Sequence, residues 1–328
     1  MGVSFSTVSK ALNDDPTIKQ ETKNRVRDVA AEMGYLPNLS ARTLRSRKSN
    51  TVGIIMNVIE NPSIVYMTKQ VILSMADNGF STLVCDSNYS LELERNNILS
   101  ILSRSPDYVI INPISNNVEN LYAFKGMYDR LIIWGAENKE IDCHYITVDY
   151  KLGGYLSAQK MLAYNHRDIL IITEPLEYPI SGQYLEGIKE AYRDYDVPFN
   201  EEMVLFSYAS IDGGYNAIAD IWDSRKVRFK KQFTGVLTFS DMLAHGVYKA
   251  LGEFDFSIPD DFSIIGFDDN PLSAFSMPPL TTVYLPKEKI AESMIRIIRN
   301  DIENGPSEKA HVMIEPHLVS RKSVKRLR

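Results

Sequence analysis

Cysteine is nearly missing from this sequence: Cys85 and Cys143 are its two examples in 328 residues. Both sit in apolar, strand-like runs without CxxC spacing, which excludes a disulfide framework or a zinc site and reads each as a small core residue. Long apolar runs are also missing. Segments such as Leu131 to Trp134 and Ile169 to Ile172 fall far short of the ~18 residues that span a bilayer, and no charged-then-apolar segment opens the chain. The expectation is a cytoplasmic protein without membrane contact. The five histidines, His144, His166, His245, His311 and His317, are scattered without metal-ligand spacing. No Gly-rich phosphate loop, GxSxG elbow, HExxH helix or Cys/His pair occurs, so catalysis, a metal and a cofactor are not expected. There is no low-complexity tract and no repeat of fixed period.

What remains is the composition of an ordinary globular protein, 44% hydrophobic and 24% charged, long enough for two or three domains. Charge is unevenly spread. Residues 1–50 hold nine Lys and Arg against five acids, a net of +4, while the rest of the chain carries −10. A small basic module joined to an acidic body often marks a nucleic-acid contact, although a solvated basic face would look the same.

From Thr51 the pattern alternates between apolar runs and helix-period segments. Strands are expected at 51–58, 80–86, 107–112, 130–135 and 145–148, with helices near 64–78, 91–103 and 118–128. A second series has strands near 168–173, 203–206, 235–239 and 262–267, and helices near 154–164, 182–195, 213–223 and 242–252. A final helix, 287–304, is delimited by Pro286 and by Gly305-Pro306. Continuous apolar strands flanked by helices require a parallel sheet covered on both faces, so the fold class is α/β with two doubly wound parallel-sheet subdomains. Ligands in such folds bind beyond the carboxyl ends of the strands, here the cleft between the subdomains.

The first fifty residues read differently. Ser4 to Asn13 forms a short helix with Val8, Ala11 and Leu12 on one side. Thr22 to Gly34 forms a second, in which Val26, Val29, Ala30 and Met33 make one apolar stripe ending at a glycine cap. A short helix presenting hydroxyls, an aromatic ring and a lysine has the chemistry to touch base edges in a major groove.

The run Gly2-Val3-Ser4-Phe5-Ser6-Thr7-Val8-Ser9-Lys10-Ala11-Leu12-Asn13, then Glu21-Thr22 through Met33-Gly34-Tyr35-Leu36-Pro37-Asn38, resembles the helix-turn-helix headpiece of the lactose-repressor/galactose-repressor (LacI/GalR) family. So do Ala41-Arg42-Thr43-Leu44, Gly266-Phe267-Asp268-Asp269, Pro278-Pro279-Leu280-Thr281-Thr282-Val283 and the ending Ile314 to Arg321. The resemblance covers essentially the whole chain. It implies that Ser4 to Leu12 is a recognition helix, with Phe5, Ser6 and Lys10 reaching base edges. Ser4, Thr7, Ser9, Asn13, Lys19 and Thr22 would make backbone or supporting contacts. Asn38, Ala41, Arg42 and Leu44 would belong to a hinge helix, with Leu44 as a minor-groove wedge.

The same resemblance implies a periplasmic-binding-protein-like core and a homodimer on double-stranded operator DNA. A sugar or glycoside effector would lie against Asn112, Trp134, Tyr184, Ser240, Asp268 and Leu285. The implied domains are a partial headpiece at 1–37, a hinge at 38–50, one core subdomain at 51–149 plus 285–312 and another at 150–284 plus 313–328. Three departures stand out. The family has a further helix before the Gly2-Val3-Ser4 turn, so a truncated headpiece with weakened DNA binding is expected. Tyr184 stands where an effector-gripping Arg is usual, and Leu285 where Gln is frequent, which makes the pocket less suited to a charged or hydroxyl-dense ligand. The alternative function is a solute-binding protein without a DNA role.

Overall fold

The computed structural model describes residues 2–12, 14–35, 48–115, 118–223, 228–305 and 308–328. They fall into two compact units, Met1–Ser49 and Asn50–Arg328.

The first unit is a packed pair of helices, α1 (Phe5–Leu12) and α2 (Gln20–Glu32). Ser4 starts α1 by accepting from the Thr7 backbone N–H at 3.1 Å, which satisfies one of the orphan donors of a helix start. Ala11 and Val26 are buried between the helices. The turn is held by Asp14, whose carboxylate lies 3.0 Å from Lys23 Nζ and 3.1 Å from Arg27. Of the expected apolar stripe, Val26 is buried and Val29 and Ala30 are half-buried, but Met33 is exposed.

The second unit holds two six-stranded sheets. The first contains β1 (Thr51–Met56), β2 (Ser81–Asp86), β3 (Tyr108–Ile111), β4 (Leu131–Trp134), β5 (His144–Val148) and β13 (His311–Ile314), in the order β13-β5-β4-β3-β1-β2 and parallel throughout. The second contains β6 (Ile169–Thr173), β7 (Val204–Phe206), β10 (Gly235–Thr238), β11 (Ser263–Asp268), β12 (Thr281–Tyr284) and β14 (His317–Val319). Its order is β14-β12-β11-β10-β6-β7, with β14 antiparallel to its neighbour. Strands β3, β4, β6, β10 and β11 are buried at every residue, as sheets covered on both faces require. The helices that cover them are α3 (Pro62–Asp77), α4 (Leu91–Leu102), α5 (Tyr150–Ala163), α6 (Pro179–Asp194), α7 (Ile211–Ala219), α8 (Asp241–Glu253) and α9 (Lys287–Asn304).

Several expected elements differ. The segment 118–128 forms two short 3₁₀ turns, Leu121–Phe124 and Tyr128–Arg130, separated by Gly126 at φ +97°, a backbone state no α-helix accepts. Helix α7 ends at Ala219. Beyond it, Trp222–Asp223 (β8) pairs antiparallel with Arg228–Phe229 (β9), and the Trp222 ring stacks on Phe254 at 4.7 Å. Helix α5 begins four residues before its expected start because Asp149 accepts from the Leu152 N–H at 2.8 Å. Strand β13 pairs with β5 through Ile314, two residues past the expected subdomain boundary at 312. Among the described residues no helix is long and apolar enough to cross a membrane.

Helices α5 and α6 approach through glycine. A Cβ at Gly187 would stand 1.8 Å from the Lys151 carbonyl oxygen, and one at Gly154 would stand 2.0 Å from that of Tyr184. Neither backbone is free to yield as a side-chain tip would. Gly187→Ala is therefore expected to destabilise the chain by about 1–3 kcal/mol, the usual range for overpacking. A lower urea midpoint with an unchanged slope would report it.

Candidate functional site

Each unit presents one candidate surface. On α1 the 3.6-residue period places Phe5, Ser6, Ser9 and Lys10 on one face and Val8, Ala11 and Leu12 on the other. The first face is the open one. Phe5 is 88% exposed, Ser6 and Lys10 are exposed, and Thr7 and Ser9 are half-buried. Lys19 is exposed and Thr22 half-buried at the start of α2. Ser4 is engaged as the cap of α1, and Lys23 turns inward to Asp14, so neither is a free donor on this face. Of the expected DNA-contacting set, Asn13, Asn38, Ala41, Arg42 and Leu44 lie outside the described residues.

The second surface is the cleft between the sheets, beyond the carboxyl ends of the strands. A narrow pocket there is lined from the first sheet by Asn57, Asn112, Ile133, Gly135 and Asn138, and from the second by Glu174, Tyr178 and Ile180. Asn112 follows β3, and its amide donates to the Trp134 carbonyl at 2.7 Å, which ties the ends of β3 and β4. Gly135, at φ +127°, leaves room for that amide, since a Cβ would meet Asn112 Nδ2 at 3.0 Å.

Two groups of hydrogen bonds cross the cleft. Tyr89 Oη donates to Glu174 Oε1 at 2.7 Å. The aim of Tyr89 comes from a left-handed turn after β2, with Asn88 at φ +42° and Tyr89 at φ +54°, pinned by Asn88 N donating to Asp86 and Tyr89 N donating to the Asn57 carbonyl. Its ring packs against Tyr178 and Tyr208 at 5.5 and 5.4 Å. Second, Asp268 at the end of β11 accepts from Asn61 Nδ2 and Ser63 Oγ, both at 3.1 Å, at the start of α3. Asp268 is held at φ +96°, a strained state for a residue with a Cβ and one that concentrates at functional sites.

Both carboxylates are buried, and of the two only Asp268 feels a nearby cation, Lys287. Burial pushes Glu174 up to about 7, against the Tyr89 hydroxyl and the Ala209 N–H, which favour its ionised form. Burial also pushes Asp268 up to about 7, opposed by Asn61, Ser63 and the charge of Lys287. Asp241, at the start of α8, is raised by burial and by the neighbouring Asp268 charge. It is the acceptor for Asn270 N at 2.8 Å, Ser273 Oγ at 2.5 Å and Thr282 Oγ1 at 2.6 Å, and so knits α8 to β12.

Of the six residues expected to hold an effector, the structure brings Asn112 to the pocket and Asp268 to the rim of the cleft. The other four are placed elsewhere. Strand alternation turns Ile133 toward the pocket and Trp134 away from it, into a core region shared with Met56, Met67 and Val71. Tyr184 is fully buried, its hydroxyl donating to the Thr238 carbonyl at 3.3 Å and its ring set edge-on to Phe239 and Phe267. Ser240 caps α8 by accepting from Leu243 N at 3.1 Å, and Leu285 is a buried core residue. The residues missed are Tyr89, Asn57, Asn138, Glu174 and Tyr178. Glu174 alone carried a signal, an acid closely following the apolar run Ile169 to Ile172. Among the described residues no group of three or more His, Cys, Asp or Glu is placed to hold a metal ion.

Comparison with known proteins gives a consistent picture. A family profile described as "Periplasmic binding protein-like domain" matches residues 158–324, and one described as "Bacterial regulatory proteins, lacI family" matches residues 1–38. The HTH-type transcriptional repressor PurR of Pasteurella multocida is 27% identical over 328 residues, covering 99% of this chain and 96% of its own. A LacI family transcriptional regulator from Enterococcus faecium, solved with bound ribose, is 24% identical with a TM-score of 0.75 over 85% of this chain and 100% of its own. The lac repressor dimer bound to operator and the anti-inducer ONPF is 20% identical with a TM-score of 0.83, covering 99% of this chain and 96% of its own.

A raised carboxylate stabilises the fold only while protonated, so its contribution is complete below the usual carboxylate range and fades as pH climbs toward 7. Buried His144, His166 and His245, held below the usual imidazole range by desolvation, pull whole-chain stability the opposite way. The difference between Glu174→Gln and wild type isolates the acid. Glu174→Gln should gain on wild type steadily from pH 4.5 to 7 and no further above 7.5, read from urea unfolding across that window.

Proposed function

Since this chain belongs to the lacI family of bacterial regulatory proteins, we infer that it is a sequence-specific DNA-binding repressor whose operator affinity is set by a small molecule in the inter-sheet cleft. The carrying observation is the open face of α1, where Phe5, Ser6 and Lys10 stand exposed on a basic module. A lysine donates to guanine O6 and N7, a serine donates or accepts, and an aromatic ring packs on a thymine methyl. Thr7, Ser9, Lys19 and Thr22 take phosphate or supporting contacts that set register. Asn13, Asn38, Ala41, Arg42 and Leu44 keep the roles that the family resemblance implies.

The effector site in this reading is the pocket of Asn57, Asn112, Asn138, Glu174 and Tyr178, with Asp268 at its rim. The ligand is of the carbohydrate class, as in the ribose-bound relative, and the regulated genes serve carbohydrate use. It acts by unequal affinity for two arrangements of the subdomains, which are residues 51–149 plus 285–314 and residues 150–284 plus 315–328. Catalysis has no part in the mechanism.

The working unit is a homodimer, two half-sites matching a protein two-fold. Support comes from the loop after β11, where Phe275 is 82% and Met277 92% exposed beside half-exposed Leu272. Such a patch is covered by a second copy more readily than by water.

Selection from a random duplex library, followed by binding titrations, tests the DNA reading. Lys10→Ala should lose roughly 10- to 100-fold for the selected sequence and relax preference at one base pair, whereas Lys19→Ala should weaken all sequences alike. Enrichment no better than random fragments would sink it. Phe275→Asp should shift sedimentation toward monomer at micromolar concentration while leaving the unfolding transition of the core in place.

A further inference from the structure

The cleft pocket has an unusual charge balance for a binding site. Its described lining includes the Glu174 carboxylate and no lysine, arginine or histidine. Glu174 is 4% exposed and accepts from two neutral donors, the Tyr89 hydroxyl and the Ala209 N–H. An ionised carboxylate offers about four acceptor sites, so about two remain for a ligand. Tyr184, in the position where the family resemblance expects a guanidinium, is sealed in the core with Phe239 and Phe267. The usual positive group is therefore gone, and at the pocket wall stands a buried carboxyl group that a bound cation would hold ionised.

We propose that the cleft binds a ligand carrying a protonated amine, of the amino-sugar class, whose ammonium pairs with Glu174 beside the Tyr178 ring. This deepens the effector reading and rests on it. An ammonium has three donors, enough to fill the open acceptor sites of Glu174, and the electron-rich face of Tyr178 favours a cation nearby. Asn57, Asn112 and Asn138 supply amides for ligand hydroxyls. Phosphorylated and carboxylated sugars are rejected, because their anion would sit against a desolvated carboxylate with no cation to meet it.

The test is calorimetric titration of the full chain with D-glucosamine, D-galactosamine and D-mannosamine, each beside its N-acetyl form, its parent hexose and, where available, its 6-phosphate. The expected result is that at least one hexosamine binds, and binds at least 10-fold tighter than its uncharged and phosphorylated counterparts. Glu174→Gln should weaken that hexosamine about 30-fold or more, the scale for deleting one member of a desolvated charge pair, while changing the parent hexose little. No binding by any hexosamine, equal binding of a hexosamine and its N-acetyl form, or an unaltered Glu174→Gln profile would each overturn the proposal. Asn112→Ala separates the two readings. A neutral hexose that loses affinity on Asn112→Ala but not on Glu174→Gln leaves the cleft as the effector site and removes its charge preference. A sugar whose binding survives Asn112→Ala is seated elsewhere and removes both.

Discussion

The separation of the two sheets depends on second-sheet carboxylates meeting first-sheet donors. Glu174 takes the Tyr89 hydroxyl, and Asp268 takes Asn61 and Ser63. A hydrogen bond to a charged acceptor contributes about 1.5–3 kcal/mol, yet burying an unpaired carboxylate costs a comparable amount, so closure is nearly balanced. That balance suits a regulator. A cleft locked by many kcal/mol would ignore a metabolite, because a ligand shifts an equilibrium only by its differential affinity for the two states.

The second sheet presents little room to a ligand near β10 and β11. Tyr150, Tyr184, Phe239 and Phe267 fill that edge, with Phe267 in ring contact with Tyr150 at 5.9 Å and Phe239 at 5.6 Å, and those two with each other at 6.0 Å. Polar recognition is displaced toward β6 and toward the asparagines of the first sheet. The pocket's amides thus come from the strand ends of the first sheet, while the second sheet supplies Glu174 and Tyr178.

Much of this was legible from residue order. The apolar runs of β3, β4, β6 and β11 announce a parallel sheet because both their faces are buried. Helix starts are less legible: Asp149 caps α5 four residues before its expected start, and Ser240, expected at the effector, caps α8. The same uniformity of the strands hides the site. When both faces of a strand are apolar, nothing in Ile132-Ile133-Trp134 says which side chain looks into the cleft, and Ile133 is the one that does. Tyr89 was invisible for another reason. Its aim depends on two consecutive left-handed residues, Asn88 and Tyr89, and only the first is of a type that commonly adopts that state. On the headpiece, a helical wheel was sufficient to find the open face of α1.

The chain passes between the sheets three times, after β5 at Asp149, after β12 near Leu285-Pro286 and between β13 and β14 at Glu315-Pro316. Two of these passages are laced to neighbouring backbone, Asp149 N–H to the Ile314 carbonyl and Leu285 N–H to that of Asp268. Bodies joined by a single strand are free to tumble, and by two to swing like a door. Three struts leave a hinge with little freedom beyond a bend or a twist, and the strand that begins one residue after Asn50, where the basic module joins the core, is in the first of the two sheets they connect.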